Sequence, residues 1–173
     1  MPVRGNARRA PRRTPLVRAS LTALLVVGSS ACAAPEGSAC GPTRATVARV
    51  IDGDTVELST GERVRYLLVD TPENTSSVEC FGPEATTFNQ QLVEGREVRL
   101  RYDVECTDRF GRLLAYVEVD GRVVNQLLVE QGYACVLHIP PNGADEAPLY
   151  EDLETRAIDE GRGLWSVCAE DPC

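Results

Sequence analysis

Between residues 45 and 69 the chain alternates apolar and polar side chains in three runs separated by two glycine turns, which restricts this stretch to hairpin-built antiparallel sheet. Ala45-Thr46-Val47-Ala48-Arg49-Val50-Ile51 reads as one strand, Asp52-Gly53 as a turn, and Thr55-Val56-Glu57-Leu58 as the returning strand. Gly61-Glu62 turns into a third strand over 63–69, which Pro72 ends. After a polar loop over 73–81, Pro83-Glu84 opens a helix with Phe88, Leu92 and Val93 on one side and Gly95 as its stop. Two more strands are expected at 97–102 and 112–119, a second helix at 124–130, a short extended segment at 133–139 and a third helix at 147–160. The order predicts an α+β fold, a five-stranded antiparallel OB-like β-barrel with three helices. A sandwich has more strands and no helix lodged between them.

The 173 residues suit one domain plus extra sequence. Arg4, Arg8, Arg9, Arg12, Arg13 and Arg18, with no acid among them, precede the apolar run Leu21-Thr22-Ala23-Leu24-Leu25-Val26-Val27 and then small residues through Ala34. That order predicts an export signal over 1–33, because the run is far shorter than the roughly 20 residues of a membrane span. Ala31-Cys32-Ala33 suits cleavage before Ala34, whereas Ser30-Ala31-Cys32 suits cutting and a lipid anchor at Cys32. Residues 34–43 read as a linker, 44–168 as the barrel domain and 169–173 as a tail. Of seven cysteines, Cys40, Cys80, Cys106, Cys135, Cys168 and Cys173 remain after the signal, an even set that predicts three disulfides in an oxidising compartment. If one pair is to be chosen, Cys80 with Cys106 is expected, since both occupy loops beside the acidic segments below. No CxxC spacing occurs and His138 is the single histidine, so zinc is disfavoured.

Without the six signal arginines, 12 basic residues face 26 acidic ones, a net charge of −14, and the chain has no lysine. Bulk attraction therefore cannot hold a polyanion; placed arginines and a bound cation would have to do so. Asp52, Asp54, Asp70 and Glu73 gather at two strand ends. Two carboxylates about 4 Å apart at an effective dielectric of about 20 repel by on the order of 4 kcal/mol, so convergence calls for a cation or raised pKa values. With only oxygen donors at hand that cation is a hard one, calcium or magnesium. Each segment alone is also ordinary turn chemistry with solvated acids. Arg65 and Arg112 stand on strands near these acids and offer paired donors that suit phosphate oxygens.

Taken together, Asp54-Thr55-Val56, Arg65, Val69-Asp70-Thr71-Pro72-Glu73, Phe81-Gly82-Pro83-Glu84-Ala85, Thr107-Asp108-Arg109-Phe110-Gly111-Arg112, Leu114-Ala115-Tyr116, Val124-Asn125, Gln131-Gly132 and Leu164-Trp165-Ser166 resemble the staphylococcal nuclease (thermonuclease) family over about residues 44–166. The resemblance implies a calcium-dependent nuclease that cleaves DNA and RNA and leaves 3′-phosphates. It implies that Asp54, Asp70 and the backbone carbonyl of Thr71 hold Ca2+, that Asp52 supports them, and that Glu73 orients or deprotonates the attacking water. Arg65 and Arg112 would bind the phosphate. The chain departs from the family pattern at Phe110, where a phosphate-binding tyrosine is usual, and at His138 and Pro140, where two tyrosines line the base pocket.

The expected function is thus an exported nuclease, secreted, periplasmic or lipid-anchored, acting as a monomer without a stable protein partner on single-stranded DNA and RNA. The alternative is a non-catalytic OB-like module of the cell envelope that binds nucleic acid or protein. A disulfide-stapled structural domain would account for the cysteines and not for the acid and arginine motifs.

Overall fold

The computed structural model describes residues 1, 38–75, 77–169 and 172. Residues 2–33 of the expected export signal, with the expected lipid-anchor position Cys32, residues 34–37 of the expected linker and positions 170, 171 and 173 of the tail therefore lie outside the described residues. All elements below belong to the unit Ala34–Cys173. In chain order they are β1 (Arg44–Val50), β2 (Thr55–Leu58), β3 (Arg63–Tyr66), β4 (Leu68–Asp70), α1 (Gly82–Val93), β5 (Glu97–Arg101), β6 (Leu113–Val119), β7 (Arg122–Val123), α2 (Val124–Glu130), β8 (Cys135–Leu137), α3 (Ala147–Asp159) and a last helical turn, α4 (Leu164–Val167). Among the described residues no helix is long and apolar enough to cross a membrane.

β1 pairs antiparallel with β2 and β5, β2 with β3, and β5 with β6. β3 then runs parallel to β6, with Arg65 opposite Leu114, and this pairing closes five strands into the expected OB-like barrel, mixed at this one seam rather than antiparallel throughout. Alternation fills it: Val56, Leu58, Val64, Tyr66, Val98, Leu100, Ala115 and Val117 point inward and are buried. Each of the larger side chains contributes about 1.5–3 kcal/mol by leaving water. β1 departs from strict alternation because its register slips at a bulge between Val47 and Arg49, so its buried residues are Val47 and Val50. α1 covers one end with Ala85, Thr86, Asn89 and Val93, while α2 and α3 pack through Leu128, Val129, Tyr150 and Leu153.

The expected strand over 63–69 is divided. Its first half stays in the barrel as β3, and after Leu67 the chain turns through Leu68 at φ 61 into β4, which pairs with β8 outside the barrel. Buried Asn125 fixes the division: its Nδ2 donates to the carbonyls of Leu67 and Ala115, and its Oδ1 accepts the Val117 N–H. Hydrophobicity alone gave no sign of this break, because Leu67, Leu68 and Val69 are all buried on both sides of it.

The pairing of Cys80 with Cys106 is corrected. Cys40 bonds to Cys106 and Cys80 to Cys168, while Cys135 is disulfide-bonded as well. Tyr102 explains the first pair: its hydroxyl donates to the Pro42 carbonyl at 2.7 Å and lays the segment before β1 along the loop that holds Cys106. Cys80 instead sits at the foot of α1, where the chain returns after α4.

Candidate active site

The site begins with the tight turn between β1 and β2. Asp54 N–H donates to Asp52 Oδ1 at 3.1 Å, and Ile51 N–H to the Thr55 carbonyl at 2.9 Å. Asn89, fully buried on α1, donates to the Asp52 carbonyl and accepts the hydroxyl of Tyr66 from β3. Gly53 lets a second segment approach, since a Cβ there would lie 2.6 Å from Thr71 Oγ1. The end of β4 is thereby seated directly on the turn.

Asp54 stands where the two segments meet and is 5% exposed. Its Oδ1 accepts the Thr55 hydroxyl at 3.0 Å; its Oδ2 accepts the Thr71 N–H at 2.9 Å and the Thr71 hydroxyl at 3.1 Å. Arg65 also reaches this carboxylate, with its Nη1 3.0 Å from Asp54 Oδ2. The same nitrogen donates to the Val69 carbonyl at 2.6 Å, and Nη2 to Asp70 Oδ1 at 2.6 Å. One guanidinium therefore closes the corner after β3 and supplies the countercharge to two carboxylates.

Two of the acids around this corner are nonetheless harder to ionise than usual. Burial first, then the adjacent Asp54 carboxylate, pushes Asp52 up to about 6. Asp70, at the exposed end of β4, is also held above the usual carboxylate range by partial burial and by the charges of Asp54 and Glu73, with Arg65 pulling the other way. Among the described residues no group of three or more His, Cys, Asp or Glu converges to form a metal cage. The donors that do converge are two carboxylates and a threonine, all oxygen, with one guanidinium shared between the two carboxylates. They fit a hard cation that keeps part of its water shell and do not fit a thiophilic metal.

Arg112 precedes β6 and is set by Asp108, which the sequence motif contained but for which no role was expected. Asp108 Oδ1 accepts the backbone N–H of Phe110 and of Arg112, and Oδ2 accepts Arg112 Nε at 2.6 Å. Burial raises the Asp108 carboxyl, but these hydrogen bonds outweigh it and hold the group below its usual range. Gripped at both backbone and side chain, Arg112 lines with Arg65 a cleft of ≈ 450 Å³. Phe110, 69% exposed, lies beside it with Arg112 Cζ 5.6 Å from the ring centroid.

The structure thus brings Asp54, Asp70, Thr71 and Arg65 into direct contact and sets Arg112 on the same cleft as Arg65. Glu73 is exposed, outside the cleft lining, close enough to Asp70 for its charge to be felt there, with Thr75 Oγ1 donating to its Oε2 at 3.2 Å. Asp52 braces the turn through the Asp54 N–H. The far wall of the cleft is made by Leu137 and Ile139, not by His138 and Pro140.

A family profile described as "Staphylococcal nuclease homologue" matches residues 63–167. Over 128 residues the chain is 35% identical to the SPbeta prophage-derived endonuclease YokF of Bacillus subtilis (strain 168), a match covering 70% of this chain and 43% of that protein. It is 36% identical over 128 residues to endonuclease YncB of the same organism, covering 70% of this chain and 61% of YncB. It is 40% identical over 125 residues to a thermonuclease of Staphylococcus intermedius, covering 69% and 74% respectively. The chain thus spans less than two thirds of the length of the two Bacillus proteins.

Proposed function

The chain belongs to the staphylococcal nuclease homologue family, and from that premise we propose that it is an exported, calcium-dependent nuclease that hydrolyses phosphodiester bonds of DNA and RNA. The observation that carries this reading is the placement of Arg65 and Arg112 on one cleft, with Arg65 paired to the acids Asp54 and Asp70. A phosphodiester entering the cleft meets two planar guanidinium groups, each anchored by a carboxylate and therefore aimed before the substrate arrives. Such preorganised donors stabilise the charge that grows on the phosphate oxygens as water attacks.

Asp54, Asp70 and the Thr71 carbonyl would hold Ca2+, which when bound polarises a phosphate oxygen and adds countercharge. Asp54 is oriented for that duty by Thr55 and Thr71, and Asp52 keeps the turn beneath it. Glu73, exposed and steadied by Thr75, accepts the proton of the attacking water or directs its lone pair. Arg112 meets the phosphate from the segment that leads into β6.

Cys40, Cys80, Cys106, Cys135 and Cys168 are disulfide-bonded and none belongs to a CxxC pair, which supports an oxidising compartment and so export, with Cys32 as the lipid-anchor site if the signal is cut there. The net charge, −8 for the whole chain and −14 without the six amino-terminal arginines, favours flexible single strands, which can bring one phosphate to two arginines without laying a whole duplex along an acidic surface. Incubating the oxidised chain with heat-denatured DNA and RNA, in millimolar calcium or in chelator, tests the reading. Cleavage that is absent, or equal in both, would refute it.

A further inference from the structure

The segment bearing Glu73 leaves β4 after Asp70 and returns at α1, and a single residue fastens its two ends together. Glu79 Oε2 accepts the Glu73 N–H at 2.9 Å, and Glu79 N–H donates to the Glu73 carbonyl, also at 2.9 Å. Both backbone polar groups of Glu73 are thus satisfied by one partner. The position of that partner is itself fixed. Gly82 N–H donates to the Glu79 carbonyl at 3.1 Å, and Cys80 next to it is bonded to Cys168. Gly82 also packs so closely on the Glu73 carbonyl that an added Cβ would collide with it.

We propose that Glu79 is a positioning residue: its carboxylate fixes the backbone of Glu73 and with it the direction from which the Glu73 carboxylate meets the attacking water. This rests on the role given to Glu73 above. An ionised oxygen accepting a backbone N–H makes a charge-assisted hydrogen bond, about twice as strong as a neutral one. Glu79 is exposed, so its charge keeps most of its hydration while it does this. Thr75 holds the Glu73 side chain and Glu79 holds its main chain, so the two contacts together restrict both ends of one glutamate. Glu79 lies outside the cleft shared by Arg65 and Arg112 and lines a second pocket together with Asp70 and Thr71.

The test compares Glu79→Ala, Glu79→Gln, Glu73→Gln and the double variant Glu79→Ala/Glu73→Gln in the full oxidised chain, reading kcat, KM and the hydrogen exchange of the Glu73 amide. Glu79→Ala is expected to lower kcat about 10- to 100-fold with KM nearly unchanged, the signature of a misplaced group rather than lost binding. Its Glu73 amide exchanges faster, and Glu79→Gln, which keeps an acceptor oxygen, recovers most of both. In the Glu73→Gln background the alanine change adds little. Wild-type kcat in Glu79→Ala, an equal loss in the Glu73→Gln background, or unchanged Glu73 exchange would each overturn the proposal. If wild type cleaves nothing while Glu73 exchange still rises in Glu79→Ala, the nuclease reading fails and the catalytic consequence fails with it, leaving the clamp as a structural contact.

Discussion

Arg65 Nη1 lies 3.0 Å from Oδ2 of Asp54, so a strand residue of the barrel neutralises the most buried acid of the site. With side chains 13% and 7% exposed, the pair is shielded from water. Removing one member of such a pair strands the other.

Arg65→Ala should therefore lower stability by about 3 kcal/mol at neutral pH, near the low end for broken buried pairs because Asp54 keeps three other hydrogen-bond donors. Urea unfolding measures it. Millimolar calcium should return part of the lost stability if Asp54 and Asp70 take the cation; an equal deficit with and without calcium would contradict that assignment.

Gly53→Ala places a Cβ 2.6 Å from Thr71 Oγ1 and must push the end of β4 off the turn. Overpacking of this kind costs about 1–3 kcal/mol. The expected outcome is a lowered Tm together with a weakened calcium response, since the displaced threonine is both a partner of Asp54 and the proposed source of a carbonyl ligand. A variant that loses neither would show that the two strand ends need not touch.

These contacts mark what the sequence disclosed. Alternation and glycine turns placed the barrel strands to within a residue or two, and the acid and arginine motifs named the groups that meet around Asp54. The division of β3 from β4 was illegible because Leu67, Leu68 and Val69 are apolar throughout, and what breaks the strand is a side chain 58 residues away, Asn125. The cysteine pairing failed for the same reason: loop position says nothing about which distant loop folds alongside, and Tyr102 brings Cys106 to Cys40. Asp108 was written in the motif, yet only the geometry shows that it holds Arg112 from both backbone and side chain.

Asp108→Asn removes the charge that orients Arg112 and sets an amide against its Nε. We expect kcat to fall tenfold or more, on the order of what an ill-positioned phosphate donor costs, with the fold retained. The pH dependence has a definite sign. The Asp108 carboxyl titrates lower in the folded chain than its unfolded value of about 3.9, so its stabilisation is complete above that value and is lost as pH falls through the folded pKa. The stability gap between wild type and Asp108→Asn should be flat above about pH 5 and shrink below about pH 4. A gap that widens on acidification would contradict the ion pair.

Cys40 and Cys106 are separated by 66 residues, and cutting that link by Cys40→Ser/Cys106→Ser should cost about 4 kcal/mol through the freed unfolded chain. The loop it anchors continues into Asp108 and Arg112, so activity should fall at temperatures where the fold survives. Thiol titration of the unfolded, unreduced wild type after export should find no free thiol; two or more would refute the complete pairing.

The most direct measurement of the central claim is the rate at which wild type, Arg112→Ala and Glu73→Gln cleave heat-denatured DNA and RNA in millimolar calcium. The account predicts calcium-dependent cleavage by wild type, abolished by chelator, and losses of at least about 100-fold in both variants with their folds intact. Full activity in either variant would contradict the assignment of the site.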